Sequence, residues 1–220
     1  MRINKFVAIC TGMSRRAADA AVLEGRVTVQ GVLAAPSSQV TDTDLVTLDR
    51  KRLHAPTERQ TVLLNKPAGY VVSREGQGSK TIYDLLPIGL HHLKPVGRLD
   101  KDSSGLLILS NDGELAHQLT HPSFQKIKQY KIALDKSLQP LHRQMISDFG
   151  LKLEDGLSKL ELERLHDRDD KQWSVTMHEG RNRQIRRTFA ALGYSVTRLH
   201  RTRFGGYTLG GLAPGKTRTL

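Results

Sequence analysis

Apolar and polar positions follow two distinct periods along this chain. Ile3, Phe6, Val7 and Cys10 fall at i, i+3, i+4 and i+7, which predicts a helix from about Ile3 to Cys10 that breaks at Gly12. Ser14 can cap a second helix, Arg15 to Glu24, with Ala17, Ala18, Ala21 and Val22 on its apolar side and Gly25 as its stop. Arg26–Val29 and Leu45–Leu48 then read as short strands joined by a connection containing Gly and Ser. The polar stretch from Asp49 to Gln60, with Pro56 inside it, reads as interdomain sequence. This sets the boundaries at a 1–54 domain, a 55–60 linker and a 61–220 domain.

Beyond the linker the period is mostly that of strands. Thr61–Asn65 is an apolar run leading into Lys66-Pro67-Ala68-Gly69, and Tyr70–Ser73 reads as a second strand before a flexible Gly76-Gln77-Gly78 tip. Leu106–Ser110 reads as a buried strand turned by Asn111-Asp112-Gly113, with a helix from Glu114 to His121 after it. Tyr130–Leu134 and Trp173–Met177 alternate as strands do. Strands outnumber helices and come partly in sequential pairs, so the predicted class is α+β: a small first domain, then a larger one with a mixed, mostly antiparallel sheet flanked by helices.

Charge changes the picture. The 220 residues carry 34 Lys and Arg against 22 Asp and Glu, a formal charge of +12. Most of the excess lies in residues 176–220, where nine basic residues face one acid, Glu179. Such a surface fits a solvated polyanion, because phosphate neutralisation dominates nucleic-acid affinity. In the first domain Arg2, Lys5, Arg15 and Arg16 cluster on two helix N-terminal turns, where exposed N–H groups already favour phosphate. A membrane-surface helix would set bulky apolar residues opposite its basic face, whereas Trp173 sits in a β-like stretch, so no membrane partner is expected. No apolar run suits a transmembrane span or signal peptide, and the single Cys10 rules out an internal disulfide framework. A cytoplasmic monomer is expected.

Several chemical signals fail. His117 and His121 share a helix face, but Gln118 stands where a glutamate base would be and no third ligand follows, so no metal is expected. No P-loop, dinucleotide fingerprint or nucleophile elbow is present. Two segments survive. In Pro95–Gly105 an acid, Asp100, is hemmed by Arg98 and Lys101 in a glycine-bracketed loop that feeds the buried strand. In Glu179–Arg187, Asn182 can cap a helix to Leu192 closed by Gly193. On that helix Ile185, Phe189 and Leu192 would face the core, with Arg183, Arg186 and Arg187 opposite as an anion site.

These segments carry a resemblance. RINKF…GMSRRAADAAVLEGRVTVQG, over about residues 1–50, resembles an S4 RNA-binding domain. NKPAGYVVS, GRLDKDSSGLLILSNDG and EGRNRQIRR, with the ending LHRTRFGGYTLGGLAPGKTRTL, resemble the successive motifs of RsuA-type pseudouridine synthases. The resemblance implies an enzyme that detaches uracil N1 from ribose, turns the base and rejoins it through C5, with no cofactor. It makes Asp100 the catalytic carboxylate, acting through either a covalent sugar ester or a glycal. A carboxylate suits an electron-poor ribose centre, as it does in glycosidic chemistry.

The resemblance further implies that Arg186 is the cation beside Asp100, that Tyr130 lies against the extruded base, and that Leu199 walls the pocket. It also implies that Arg98 holds the vacated place or the flipped nucleotide, since a stacked base must be extruded to be reached. Lys66, Arg183 and Arg187 are expected to contact RNA. The partner implied is ribosomal RNA. The run Glu179–Arg187 and the segment Leu199–Arg203 look more like large-subunit (23S) members than 16S ones. The competing reading is a non-catalytic S4 assembly factor, which accounts for the charge but not for the GRLD loop together with QIRR.

Overall fold

The helical spacing near the start produces two packed helices. In the computed structural model, which describes residues 1–41, 43–55 and 58–220, α1 spans Ile3–Thr11 and α2 spans Arg15–Leu23. Ser14 caps α2 as its hydroxyl accepts from the Ala17 N–H at 3.0 Å. The chain divides into two compact units, Met1–Arg59 and Gln60–Leu220. The predicted linker residues Pro56 and Thr57 lie outside the described residues.

In the first unit, Ile3, Phe6 and Val7 of α1 and Ala18, Ala21 and Val22 of α2 pack with Val27, Val40 and Val46, and Cys10 is partly buried against them. The sheet is β1 (Val27–Val29), β2 (Val32–Leu33), β3 (Val46–Leu48) and β4 (Lys51–Arg52), in the order β2-β1-β3-β4. Two of these strands differ from expectation. Gln30-Gly31 and Asp49-Arg50 both turn with positive φ, the hairpin geometry that matches strand twist, so β2 and β4 fold back on their predecessors. The start of the stretch read as interdomain sequence is thus a hairpin, and the Asp49 carboxylate is held by Arg26 at 2.6 and 2.8 Å.

The second unit is built on a mixed, mostly antiparallel sheet of nine strands flanked by helices. In chain order its strands are β5 (Thr61–Lys66), β6 (Lys94–Val96), β7 (Ser104–Ser110), β8 (Lys128–Leu134), then, after a separate hairpin of β9 (Leu151–Leu153) and β10 (Gly156–Ser158), β11 (Glu161–Arg164), β12 (Gln172–Met177), β13 (Val196–Phe204), β14 (Tyr207–Thr208) and β15 (Thr217–Thr219). Their order is β11-β12-β8-β13-β7-β5-β15, with β6 on β7 and β14 on β13; β13 and β7 run parallel.

The unbroken apolar runs of β5 and β7 arise because both faces of the sheet are covered there. Val62, Leu64, Leu107 and Leu109 point into one cluster, with Ile185 and Phe189 of α5 (Gln184–Ala190). Leu63, Leu106 and Ile108 point into the other, with Leu119 of α3 (Gly113–Thr120). Between β8 and β9, α4 (Pro140–Gln144) runs on into a π-helical turn, Met145–Phe149.

Two expectations are corrected. Tyr70–Ser73 is no strand: Val71 forms an isolated bridge to Thr81, bonding only to the Lys80 carbonyl and the Ile82 N–H. Asn182 does not cap α5, because Arg183 takes a left-handed conformation at the cap and the Gln184 side chain accepts from the Arg181 N–H at 3.2 Å.

The parallel crossing of β7 and β13 fixes where the 97–103 loop begins and ends. At Gly105 φ is +104°, and a Cβ there would lie 2.2 Å from the Arg201 carbonyl oxygen and 2.5 Å from its nitrogen. Only glycine allows this approach. Gly105→Ala should therefore cost more than ~2 kcal/mol, read as a lower urea midpoint at unchanged slope.

Candidate active site

The Asp100 loop joins β6 to β7, and its inner side is anchored by Leu99 in the core. Arg98 and Asp100, on either side of Leu99, face a cleft of about 420 Å³, within the size range of ligand sites. Opposite the loop, β8 and β13 contribute Tyr130 and Leu199, both nearly buried, and the α5 region contributes Arg183 and Ile185. Of the residues singled out in the sequence, Asp100, Arg98, Tyr130, Leu199 and Arg183 thus share one wall system. Lys66, Arg186 and Arg187 do not line this cleft.

Lys66 corrects an expectation. It is fully buried at the end of β5, opposite Gly105, and is not an RNA-facing cation. Its ammonium donates to the carbonyls of Pro67 at 3.1 Å, Asp100 at 3.1 Å and Ser103 at 2.6 Å, using all three donors on the loop backbone. The Gly69 N–H adds a bond to the Lys101 carbonyl at 2.7 Å. Burial pushes the Lys66 ammonium down to about 8, against the pull of Asp102 and Asp100 upward.

The arginines also differ from their expected roles. Arg183, not Arg186, faces Asp100, at 3.4 Å, and it also reaches Asp102 at 3.3 Å. Arg186 binds the Asp102 carboxylate at 3.2 Å and the Val196 carbonyl at 2.5 Å. Arg187 binds Asp155 at 2.5 Å, and Arg181 joins the same carboxylate at 2.9 Å. The expected open anion site on α5 is therefore a closed network in which carboxylates already occupy the guanidiniums. The displacement follows from the cap: α5 starts later than expected, which puts Arg183 ahead of the helix.

Asp102 is a site residue to which the sequence reading gave no role. Burial opposes its ionisation, yet the Arg183 hydrogen bond and the charges of Arg186 and Arg183 together hold its carboxyl below the usual range. The Arg183–Asp100 pair is well exposed on both sides, so it contributes ~0–1 kcal/mol and an incoming anion can displace it. The loop backbone is rigidly tied while the Asp100 side chain stays available. No group of three or more metal-ligating side chains occurs among the described residues.

The comparisons with known proteins agree on one family. A family described as RNA pseudouridylate synthase matches residues 60–191. "Ribosomal large subunit pseudouridine synthase B" of Bacillus subtilis is 35% identical, covering all of this chain and 91% of that one. "Ribosomal small subunit pseudouridine synthase A" of Pasteurella multocida is 34% identical, covering all of this chain and 96% of that one. A crystal structure of a pseudouridylate synthase superposes with a TM-score of 0.71 at 32% identity, covering 100% of this chain and 96% of that chain.

Lys66→Met removes a donor from three loop carbonyls, the Ser103 one through a fully buried bond, so a loss of roughly 2–4 kcal/mol at neutral pH is expected in urea denaturation. The pH dependence supplies a second check. The folded ammonium titrates near 8 while an unfolded lysine stays protonated to about 10.5, so the unfolded chain binds more protons in that window. Wild-type stability should therefore rise relative to Lys66→Met as pH increases from 8 towards 10.5.

Proposed function

Since the chain belongs to the RNA pseudouridylate synthase family, we propose that it converts uridine to pseudouridine in ribosomal RNA, with the large-subunit (23S) RNA as its target and Asp100 as its catalytic carboxylate. The observation that carries this reading is the cleft itself: a carboxylate on a fixed backbone faces Tyr130 and Leu199 across a space of nucleoside scale. Relatives named for the large and the small ribosomal subunit support ribosomal RNA as substrate. The run Glu179–Arg187 and the segment Leu199–Arg203 favour the large subunit, and 16S RNA is the runner-up. The cytoplasm is the compartment where such RNA is met. No described helix is long and apolar enough to cross a membrane.

In this reading the uridine leaves its stack and its base enters between Tyr130 and Leu199, at a cost of a few kcal/mol. Asp100 stands at the ribose while the N1–C1′ bond breaks. The base turns, C5 bonds to C1′, the C5 proton departs and N1 gains one, so the overall change is an isomerisation. Tyr130, against the base, relays the C5 proton: its hydroxyl oxygen takes that proton as its own passes to solvent. Arg98, exposed at the cleft mouth, holds the displaced nucleotide, and Arg183 swings from Asp100 to phosphate as RNA arrives. Arg187 and Arg186 keep the wall of the site in place through Asp155 and Asp102.

We read residues 1–54 as an S4 RNA-binding domain that supplies further phosphate contacts through Arg2, Lys5, Arg15 and Arg16. Two tethered modules gain avidity through effective concentration.

Purified protein should release tritium from 5-tritiated uridine in ribosomal RNA in the presence of EDTA, and Asp100→Asn should bind RNA but release none. Release that persists in Asp100→Asn would remove that residue from the chemistry. Carbodiimide mapping of a deletion strain should show one stop missing from 23S RNA; a stop missing only from 16S RNA would reverse the choice of subunit. Deleting residues 1–54 should flatten the salt dependence of binding by about 0.7–0.9 in log–log slope for each phosphate that domain neutralises.

A further inference from the structure

Two cations sit together in the cleft, away from the Arg–Asp network. Lys128 begins β8, and among the described residues its ammonium donates to the carbonyls of Lys126 at 3.4 Å and Glu179 at 3.3 Å. It lies 5.3 Å from the centre of the Phe204 ring. The Arg201 guanidinium lies 4.8 Å from the centre of the same ring. Arg201 is 3% exposed; its Nε donates to the Leu106 carbonyl at 2.8 Å, and its buried Nη2 has no partner among the described residues.

Neither cation has a carboxylate partner among the described residues. The Glu179 carboxylate, which draws on Lys128 only through space, is bound by Arg181 and by the Gln184 amide. Burial lowers the Lys128 ammonium, and the nearby Arg201 charge lowers it further. A buried guanidinium N–H without an acceptor, beside a second cation, costs stability unless a ligand supplies the missing charge.

We propose that Lys128 and Arg201 form an anion subsite for a phosphodiester of the RNA, one of the two phosphates flanking the target nucleotide. The inference rests on the proposed function and deepens it. Its geometry follows from the strands. Arg201 opposes Tyr130 in the β13–β8 register, and Lys128 precedes Tyr130 by two residues on the same face of β8. The subsite therefore stands about 7 Å along the strand from Tyr130, the distance of one strand repeat. A base against Tyr130 would reach it with its own phosphate. The pair would fix the nucleotide at both ends and so set the ribose against Asp100.

The test uses an RNA oligonucleotide substrate carrying a single neutral methylphosphonate at either flanking position. One of the two should lower wild-type kcat/KM roughly tenfold to a hundredfold, the worth of a charge-assisted hydrogen bond. In Lys128→Met the same substitution should cost about twofold or less, because the interaction it removes is already gone. Arg201→Lys, which keeps the charge and shortens the reach, should show the same loss of sensitivity. It serves as the second variant because an apolar residue at 201 would also release the Leu106 carbonyl. Equal penalties in wild type and variants, or none in wild type, would overturn the subsite. Turnover of unmodified RNA by wild type reports separately on the proposed function. Should it be absent, dissociation constants of the same oligonucleotides carry the same comparison for the subsite.

Discussion

One buried ammonium holds the functional loop to the sheet. Lys66 ends β5 beside Gly105, where β7 passes too close to β13 for any side chain. From that point its three donors reach the carbonyls of Pro67, Asp100 and Ser103, the last through a fully buried bond. The Asp100 loop is thus tied through its main chain, with Leu99 in the core and Asp102 bound by Arg183 and Arg186, while the Asp100 carboxylate makes only its exposed pair with Arg183. That separation matters for the proposed chemistry, because the carboxylate can keep its position without being consumed by a structural bond. A charge this deep is costly to bury, and the burial is tolerated because Asp102 and Asp100 lie close enough to offset part of the cost.

The arginine-rich stretch after Glu179 solves a related problem. A cleft that receives a polyanion needs cations, yet clustered guanidiniums repel one another when the RNA is absent. Asp102 and Asp155 resolve this by binding Arg183 and Arg186 on one side and Arg181 and Arg187 on the other. These pairs differ in exposure. Arg186 is mostly covered and also tied to the Val196 carbonyl, so it acts as a brace, while Arg183 is open enough to exchange its carboxylates for phosphate. Exposed pairs contribute little to stability, which leaves them free to respond to a ligand.

What could be read from the sequence depended on whether a residue's role was local. The α1 and α2 faces, the Ser14 cap and the apolar β7 run follow from neighbours in the chain, and the structure shows all of them. Asp100, Arg98, Tyr130 and Leu199 were picked out by motif, and the fold brings them to one cleft. The misreadings at the site concern one interaction made across the sheet and one local cap conformation. Lys66 looks like a surface cation after a strand, and nothing within the sequence shows that three carbonyls converge on it. Arg183 was placed on a helix face by a wheel that began at Asn182, and a left-handed residue at the cap shifts that wheel. Arg201, read only as part of the Leu199–Arg203 segment, was given no role of its own because buried arginines are rare.

The distribution of unsatisfied charge separates the two kinds of cation in this cleft. Those paired with carboxylates, around Asp102 and Asp155, can balance themselves in the free protein. Lys128 and Arg201 cannot, since among the described residues only carbonyls and the face of Phe204 meet them. An aromatic face attracts a cation, but by ~0.5–2 kcal/mol, which is less than a buried charge needs. Packing alone would be better served at position 201 by an apolar side chain, as it is at Leu199 on the same strand. A buried guanidinium with an unpartnered N–H fits the proposed ligand, which would bring negative charge into the cleft. For a family that acts on RNA, the phosphate next to the reacting nucleotide is the charge that must come with the base.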